Sequence, residues 1–153
     1  MRKIFLSLLV VFSLFYITGC NNKDEIKDNL ELQIEEKKES DIMTNINVII
    51  NNNSYVLKLE ENETVRELFK LLPQEYTMNE LNGNEKYVYL GSALPTNSSK
   101  PKKINKGDVM LFGDNCLVVF YESFNTNYSY TKIGHIDDLP NLGNSNITIR
   151  FEK

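Results

Sequence analysis

Apolar residues fall into three regimes along this 153-residue chain. Residues 4–17, IFLSLLVVFSLFYI, are an apolar run interrupted only by Ser7 and Ser13; residues 21–41 carry only isolated aliphatics; from residue 42 onward short alternating runs recur between Asn, Gly and Pro. The third regime predicts a folded domain over residues 42–153. In TNINVII (44–50), Ile46, Val48 and Ile50 share one face, and in YVLKLEE, Tyr55, Leu57 and Leu59 do the same. With NNNS between them, these two period-two segments read as a hairpin. The period then lengthens to 3.6 in ETVRELFKLLP, where Val65, Leu68, Phe69 and Leu72 form a stripe, Thr64 and Glu67 fit a capping box, and Pro73 ends the helix.

Further strands follow. EYTMNEL and EKYVYL are joined by Asn82-Gly83-Asn84, residue types that accept the positive φ of a tight hairpin turn. A polar segment with Pro95 and Pro101 cannot be a central strand. VMLFGDNCLVVFY holds two nearly continuous apolar runs around Gly113-Asp114-Asn115, as expected of strands covered on both faces. SYTKIGHI, a turn or helical piece around DDLPNLG, and ITIRFE complete the domain. The class is mainly β, with seven or eight strands and one or two short helices, which favours a barrel.

The first regime has a different meaning. MRK followed by a largely apolar run of fourteen residues is too short and too N-terminal for an ordinary spanning helix, and reads as a secretion signal over residues 1–19. The run leads into ITGC (17–20), which resembles the bacterial lipobox. That resemblance implies cleavage before Cys20, diacylglycerol on its sulfur, and a lipid bilayer as partner on the extracytoplasmic side. The competing reading is an ordinary signal peptide or anchor with a chance cysteine. Two or three acyl chains anchor stably where one is marginal, since each buried CH₂ contributes about 0.8 kcal/mol. Residues 21–41 hold eight acidic residues, four lysines and no aromatic, glycine or proline. With Cys20 they form an acidic linker (20–41), which as a flexible coil spans on the order of 25 Å.

Composition narrows the chemistry. Formal net charge is −4, and loss of Arg2 and Lys3 with the leader would leave 15 basic against 21 acidic residues. Lys and Arg are scattered, so no nucleic-acid partner is expected. With Cys20 lipidated, Cys116 has no partner for an internal disulfide, and inside its apolar run it reads as a small buried hydrophobe. One histidine and one remaining cysteine cannot build a usual zinc site, and no DxDxDG calcium loop occurs, so neither metal nor cofactor is expected. His135 and Asp137 would share a strand face, but the chain has no second histidine and no GxSxG; a strand-end histidine held by hydrogen bonds is the simpler reading.

The aromatic segment FYESFNTNYSY is the better candidate. It places Phe120, Tyr121, Phe124, Tyr128 and Tyr130 among Asn, Ser and Thr, a mixture suited to a peptide, glycan or small-molecule ligand. The alternative is that these rings only close the barrel ends and stack across strands. Phe124, Tyr128, Tyr130 and His135 are therefore the candidate ligand-binding residues; none is assigned a catalytic role.

The segment GDVMLFGDNCLVVFYESFNTNYSYTKIGHIDD (107–138), with LPTNSSKPKKINKGD and LNGNEKYVYL upstream, resembles the bacterial cyclophilin-like domain family over roughly residues 45–152. The resemblance implies a closed or half-closed barrel of about eight strands, and no established activity. Cyclophilins proper use an arginine that stabilises the twisted prolyl amide, beside a pocket of Phe, Met and Leu rimmed by Gln, Trp and His. Here the chain beyond the leader has Arg66 and Arg150, no FHR-type segment and no Trp. Without a donor aimed at the reacting amide, the expected function is non-catalytic binding; peptidyl-prolyl isomerisation is the alternative.

Overall fold

The computed structural model describes residues 44–153. The leader, Cys20, the acidic linker and the first two residues of the expected domain lie outside them. Ten strands and one helix follow: β1 (Asn45–Ile50), β2 (Asn53–Leu59), α1 (Glu63–Lys70), β3 (Gln74–Leu81), β4 (Glu85–Tyr89), β5 (Lys103–Ile104), β6 (Asp108–Phe112), β7 (Cys116–Phe120), β8 (Phe124–Asn125), β9 (Thr131–Ile136) and β10 (Ile147–Glu152).

Eight strands close into an antiparallel barrel in the order β1-β10-β3-β4-β7-β6-β9-β2. The hairpins form where the residue types allow them. Asn51 (φ 47°) and Asn52 (φ 70°) make the two-residue link of β1 and β2; Asn82 (φ 58°) and Gly83 (φ 71°) turn β3 into β4. Alternate residues then face inward. Ile46, Val48 and Ile50 from β1, Leu57, Met78, Val109, Leu111, Leu117, Val119, Ile133, Ile147, Ile149 and Phe151 are all at most 5% exposed. They form one core with Val65, Leu68 and Leu72, so the helical stripe packs as its spacing requires.

Two details of the helix region differ from the sequence expectation. The N-cap is Asn62, whose Oδ1 accepts from the Val65 amide at 2.9 Å, and not the Thr64–Glu67 box. Thr64 is buried and its hydroxyl donates to the Pro95 carbonyl at 2.6 Å, tying the helix start to the loop after β4. The segment 137–143 contains no helix; Asp138 takes φ 53° and the chain crosses to β10 through turns, leaving α1 as the one helix among the described residues.

The continuous apolar runs of β6 and β7 have a double cover. Val109, Leu111, Leu117 and Val119 point into the barrel. Met110, Cys116, Val118 and Phe120 point out, into a second cluster with Ile104 and Tyr130 against which Tyr87 and Phe124 pack. The cover is the β5–β8 ribbon, paired Lys103↔Asn125 and Ile104↔Phe124, with a bridge at Ser99↔Tyr130. β5 lies in the polar segment with Pro95 and Pro101 and β8 in the aromatic segment, where two-residue pairing leaves no periodic trace in sequence.

Candidate functional site

The ribbon covers only part of the outer face of β4, β7 and β6. What it leaves is a groove of about 330 Å³ floored by Cys116 and Val118, walled by Tyr87 and Tyr89 on one side and Phe112, Tyr128 and Tyr130 on the other, and ended by Leu81, Asn82 and Glu85. The register explains the arrangement. Tyr87 pairs with Val118, Tyr89 with Cys116, and Cys116 with Phe112, so outward residues of three strands lie in adjacent rows. A second hollow of about 440 Å³ shares Asn82, Glu85, Tyr128 and Tyr130 with the first and extends it along Phe124, Asn125, Thr126 and Asn127. Together they form one continuous channel on the barrel wall.

The rings meet edge to face. Tyr87 and Tyr89 lie 5.9 Å apart at 80°, Phe112 and Tyr128 5.9 Å apart at 84°. Phe120, Phe124 and Tyr130 continue the stack beneath the ribbon. Such edge-to-face contacts suit the ring quadrupoles. Tyr89 and Tyr128 are each 66% exposed.

The structure thus brings Phe124, Tyr128 and Tyr130 together, but not His135. Tyr130 immediately precedes β9, whose Thr131 pairs with Leu111 beside Phe112; His135 pairs with Asp108 at the opposite end of the β6–β9 ladder. His135 Nδ1 lies 3.0 Å from Oδ1 of Asp108, and Nε2 lies 3.7 Å from Oδ1 of Asp137. Asp108 is 3% exposed, and its other oxygen accepts from the Asn105 amide at 2.8 Å. Lys58 bonds Asp137 and, with help from His135, holds its carboxyl below the usual range. This is an orienting network at a strand end: the polar contacts of the imidazole among the described residues are these two aspartates, with no hydroxyl or thiol in reach.

Sequence reasoning missed Tyr87, Tyr89, Phe112 and Glu85. The signal was present in EKYVYL, where Glu85, Tyr87 and Tyr89 alternate and so share a face. Tyr121, by contrast, leaves the aromatic segment for the main core and is 1% exposed.

Inside the barrel, behind Glu85, lies a charge that sequence reasoning did not place. Lys86 is fully buried. Its ammonium satisfies three donors, on Glu80 Oε2, the Gly143 carbonyl at 2.5 Å and the Ser145 carbonyl at 2.8 Å, and lies 4.9 Å from the centre of the Tyr121 ring. Glu80 also accepts from the Tyr121 hydroxyl at 2.8 Å and the Gly83 amide at 2.7 Å. Burial opposes the charge on Glu80, but its bonds from Lys86, Tyr121 and Gly83 prevail and hold the carboxyl below its ordinary range. Burial, and then the bond to Glu80, push the Tyr121 phenol up to about 12.

A pH dependence follows from these directions. A phenol raised in the fold gives stability that is present below its unfolded value and lost as pH rises through the folded one. Thermal stability followed by circular dichroism should therefore fall between pH 10 and 12. Tyr76 and Tyr130, also raised by burial, act in the same direction. On the acid side the depressed Glu80 contributes stability that is lost as pH falls from the unfolded glutamate range through its lower folded value. A profile flat above pH 10 would contradict the Tyr121–Glu80 bond.

The geometry defines a small closed barrel with one aromatic channel on its wall. The model of the cyclophilin-like family matches residues 48–152, so the chain belongs to that family. Among solved structures, a hypothetical protein of Archaeoglobus fulgidus determined in solution is similar, with TM-score 0.53 and 17% identity over 71% of this chain and 93% of that one; at this identity the likeness concerns the fold. No curated protein matches.

Proposed function

We propose that this protein is a lipid-anchored extracytoplasmic binding module. Acyl chains on Cys20 hold it to the bilayer, residues 21–41 carry the barrel clear of the headgroups, and the aromatic channel receives a ligand without chemical change. The observation that carries the reading is the channel itself. Large rings are left facing solvent in adjacent rows over a hollow of ligand size, where a fold without a partner would cover or replace them. The non-catalytic reading is supported by the arginines: Arg150 pairs with Glu152 at 2.9 Å on the outer surface, Arg66 is exposed on α1, and neither lines the channel. Family membership adds a fold and leaves the activity to the site.

Three measurements test the reading. In a bacterial host, Cys20→Ser should move the full-length protein from the membrane to the soluble fraction; a variant still processed and still membrane-bound overturns the anchor. A panel of peptides, glycans and small molecules, followed by tyrosine fluorescence, should contain a ligand that binds wild type and not Tyr89→Ala/Tyr128→Ala. Equal binding by both proteins across the panel overturns the channel's role, and acceleration of prolyl isomerisation dependent on Arg66 or Arg150 overturns the absence of catalysis.

A further inference from the structure

The channel has an electrostatic character that its shape alone does not reveal. Its two hollows are lined by fifteen different residues, of which Glu85 is the one with a formal charge; there is no Lys, Arg or His among them. Glu85 has no salt bridge or side-chain hydrogen bond to another described residue, although its neighbours on β4 and β3, Lys86 and Glu80, are bonded to each other behind it. Its side chain is partly buried, and burial, with Glu80 close by, raises its carboxyl above the ordinary range. A carboxylate in this position lacks the compensation that a partly buried charge normally finds within the fold.

We propose that the channel binds a small organic cation bearing a methylated ammonium group, with the cationic head between Glu85 and the tyrosine rings; the proposal rests on the binding-module reading above. Three features select this chemistry. A carboxylate with no partner among the described residues supplies charge complementarity, and the chain's net negative charge draws cations toward it. Tyr89, Phe112 and Tyr128 are exposed and line the groove with the half-buried Tyr87, and aromatic rings offer a cation the negative side of their quadrupoles, the attraction by which quaternary ammonium ligands are recognised. A methylated ammonium also presents apolar methyl groups to Leu81, Cys116 and Val118. A primary ammonium would instead need acceptors for three N–H donors, as Lys86 finds within the barrel. A hollow of about 330 Å³ matches a small molecule.

The test uses the full-length protein in non-ionic detergent micelles and two probes of the same shape, choline and its neutral carbon isostere 3,3-dimethyl-1-butanol, titrated by calorimetry and by proton shifts of the tyrosine rings. Choline should bind at least about tenfold more tightly than the isostere, each tenfold being about 1.4 kcal/mol. Glu85→Gln should weaken choline about tenfold and leave the isostere unaffected. Tyr89→Leu, which keeps an apolar wall but removes a ring face, should weaken choline several-fold. Equal binding of both probes, or choline binding unchanged by Glu85→Gln and Tyr89→Leu, overturns the proposal. If choline fails while another panel ligand binds in a Tyr89- and Tyr128-dependent manner, the cation assignment falls and the binding module stands. If nothing depends on these tyrosines, both fall.

Discussion

Lys86→Met should lower the unfolding free energy by about 3–5 kcal/mol, the loss typical of breaking a buried ion pair from one side. The side chains are similar in length and methionine fills irregular space well, so the effect is mainly electrostatic. Without the ammonium, Glu80 keeps a charge in the barrel with only the Tyr121 hydroxyl and the Gly83 amide to stabilise it. The Gly143 and Ser145 carbonyls lose the donor that draws the loop before β10 onto the barrel. The decisive comparison is the double variant Lys86→Met/Glu80→Gln. A neutral glutamine carries no uncompensated charge: its Oε1 can still accept from the Gly83 amide while its Nε2 donates to the Tyr121 hydroxyl oxygen, so the double variant should be more stable than Lys86→Met alone. Urea unfolding of the three proteins checks this; additive losses would show that the pair acts through packing instead.

Gly107→Ala is the second large effect. Gly107 adopts φ +94°, where side chains are strained, and a Cβ there would lie 2.2 Å from the Ile136 carbonyl oxygen and 2.9 Å from the His135 ring. The backbone cannot easily yield, because the Gly107 amide donates to the Phe120 carbonyl at 2.8 Å and its own carbonyl accepts from the Ile136 amide at 2.9 Å. Conformational strain and overpacking act together, and a loss of about 3 kcal/mol or more is expected in the same urea measurement. An alanine variant with wild-type stability would mean that β6 and β9 separate there at little cost.

Both sites indicate how far the sequence can be read. The barrel was legible because inward positions of β1, β2 and β10 alternate cleanly, and because Asn51-Asn52 and Asn82-Gly83 announce their turns. Position 86 was not, since EKYVYL offers two faces, Glu85-Tyr87-Tyr89 and Lys86-Val88-Leu90, each with one charge, and the period-two rule does not choose between them. Once NGN is taken as the turn, Glu80 opposite Lys86 follows from register. Their burial does not, because it depends on carbonyls nearly sixty residues away. The channel was half legible for the same reason. Tyr128 and Tyr130 advertise themselves as part of a dense aromatic segment, whereas Tyr87, Tyr89 and Phe112 join them only through strand pairing. His135 looked separable from the tyrosines by a few residues, and β9 carries those residues along its length to the far end of the ladder.

The pairing of the first and last strands has a practical corollary. β1 begins beside the finish of β10, with Asn47 opposite Glu152, so the chain enters and leaves the barrel at one rim. A reporter or affinity tag appended after Lys153 would emerge beside the start of β1. The Asn51–Asn52 tip, at the other end of that strand pair, is the better place to attach a label.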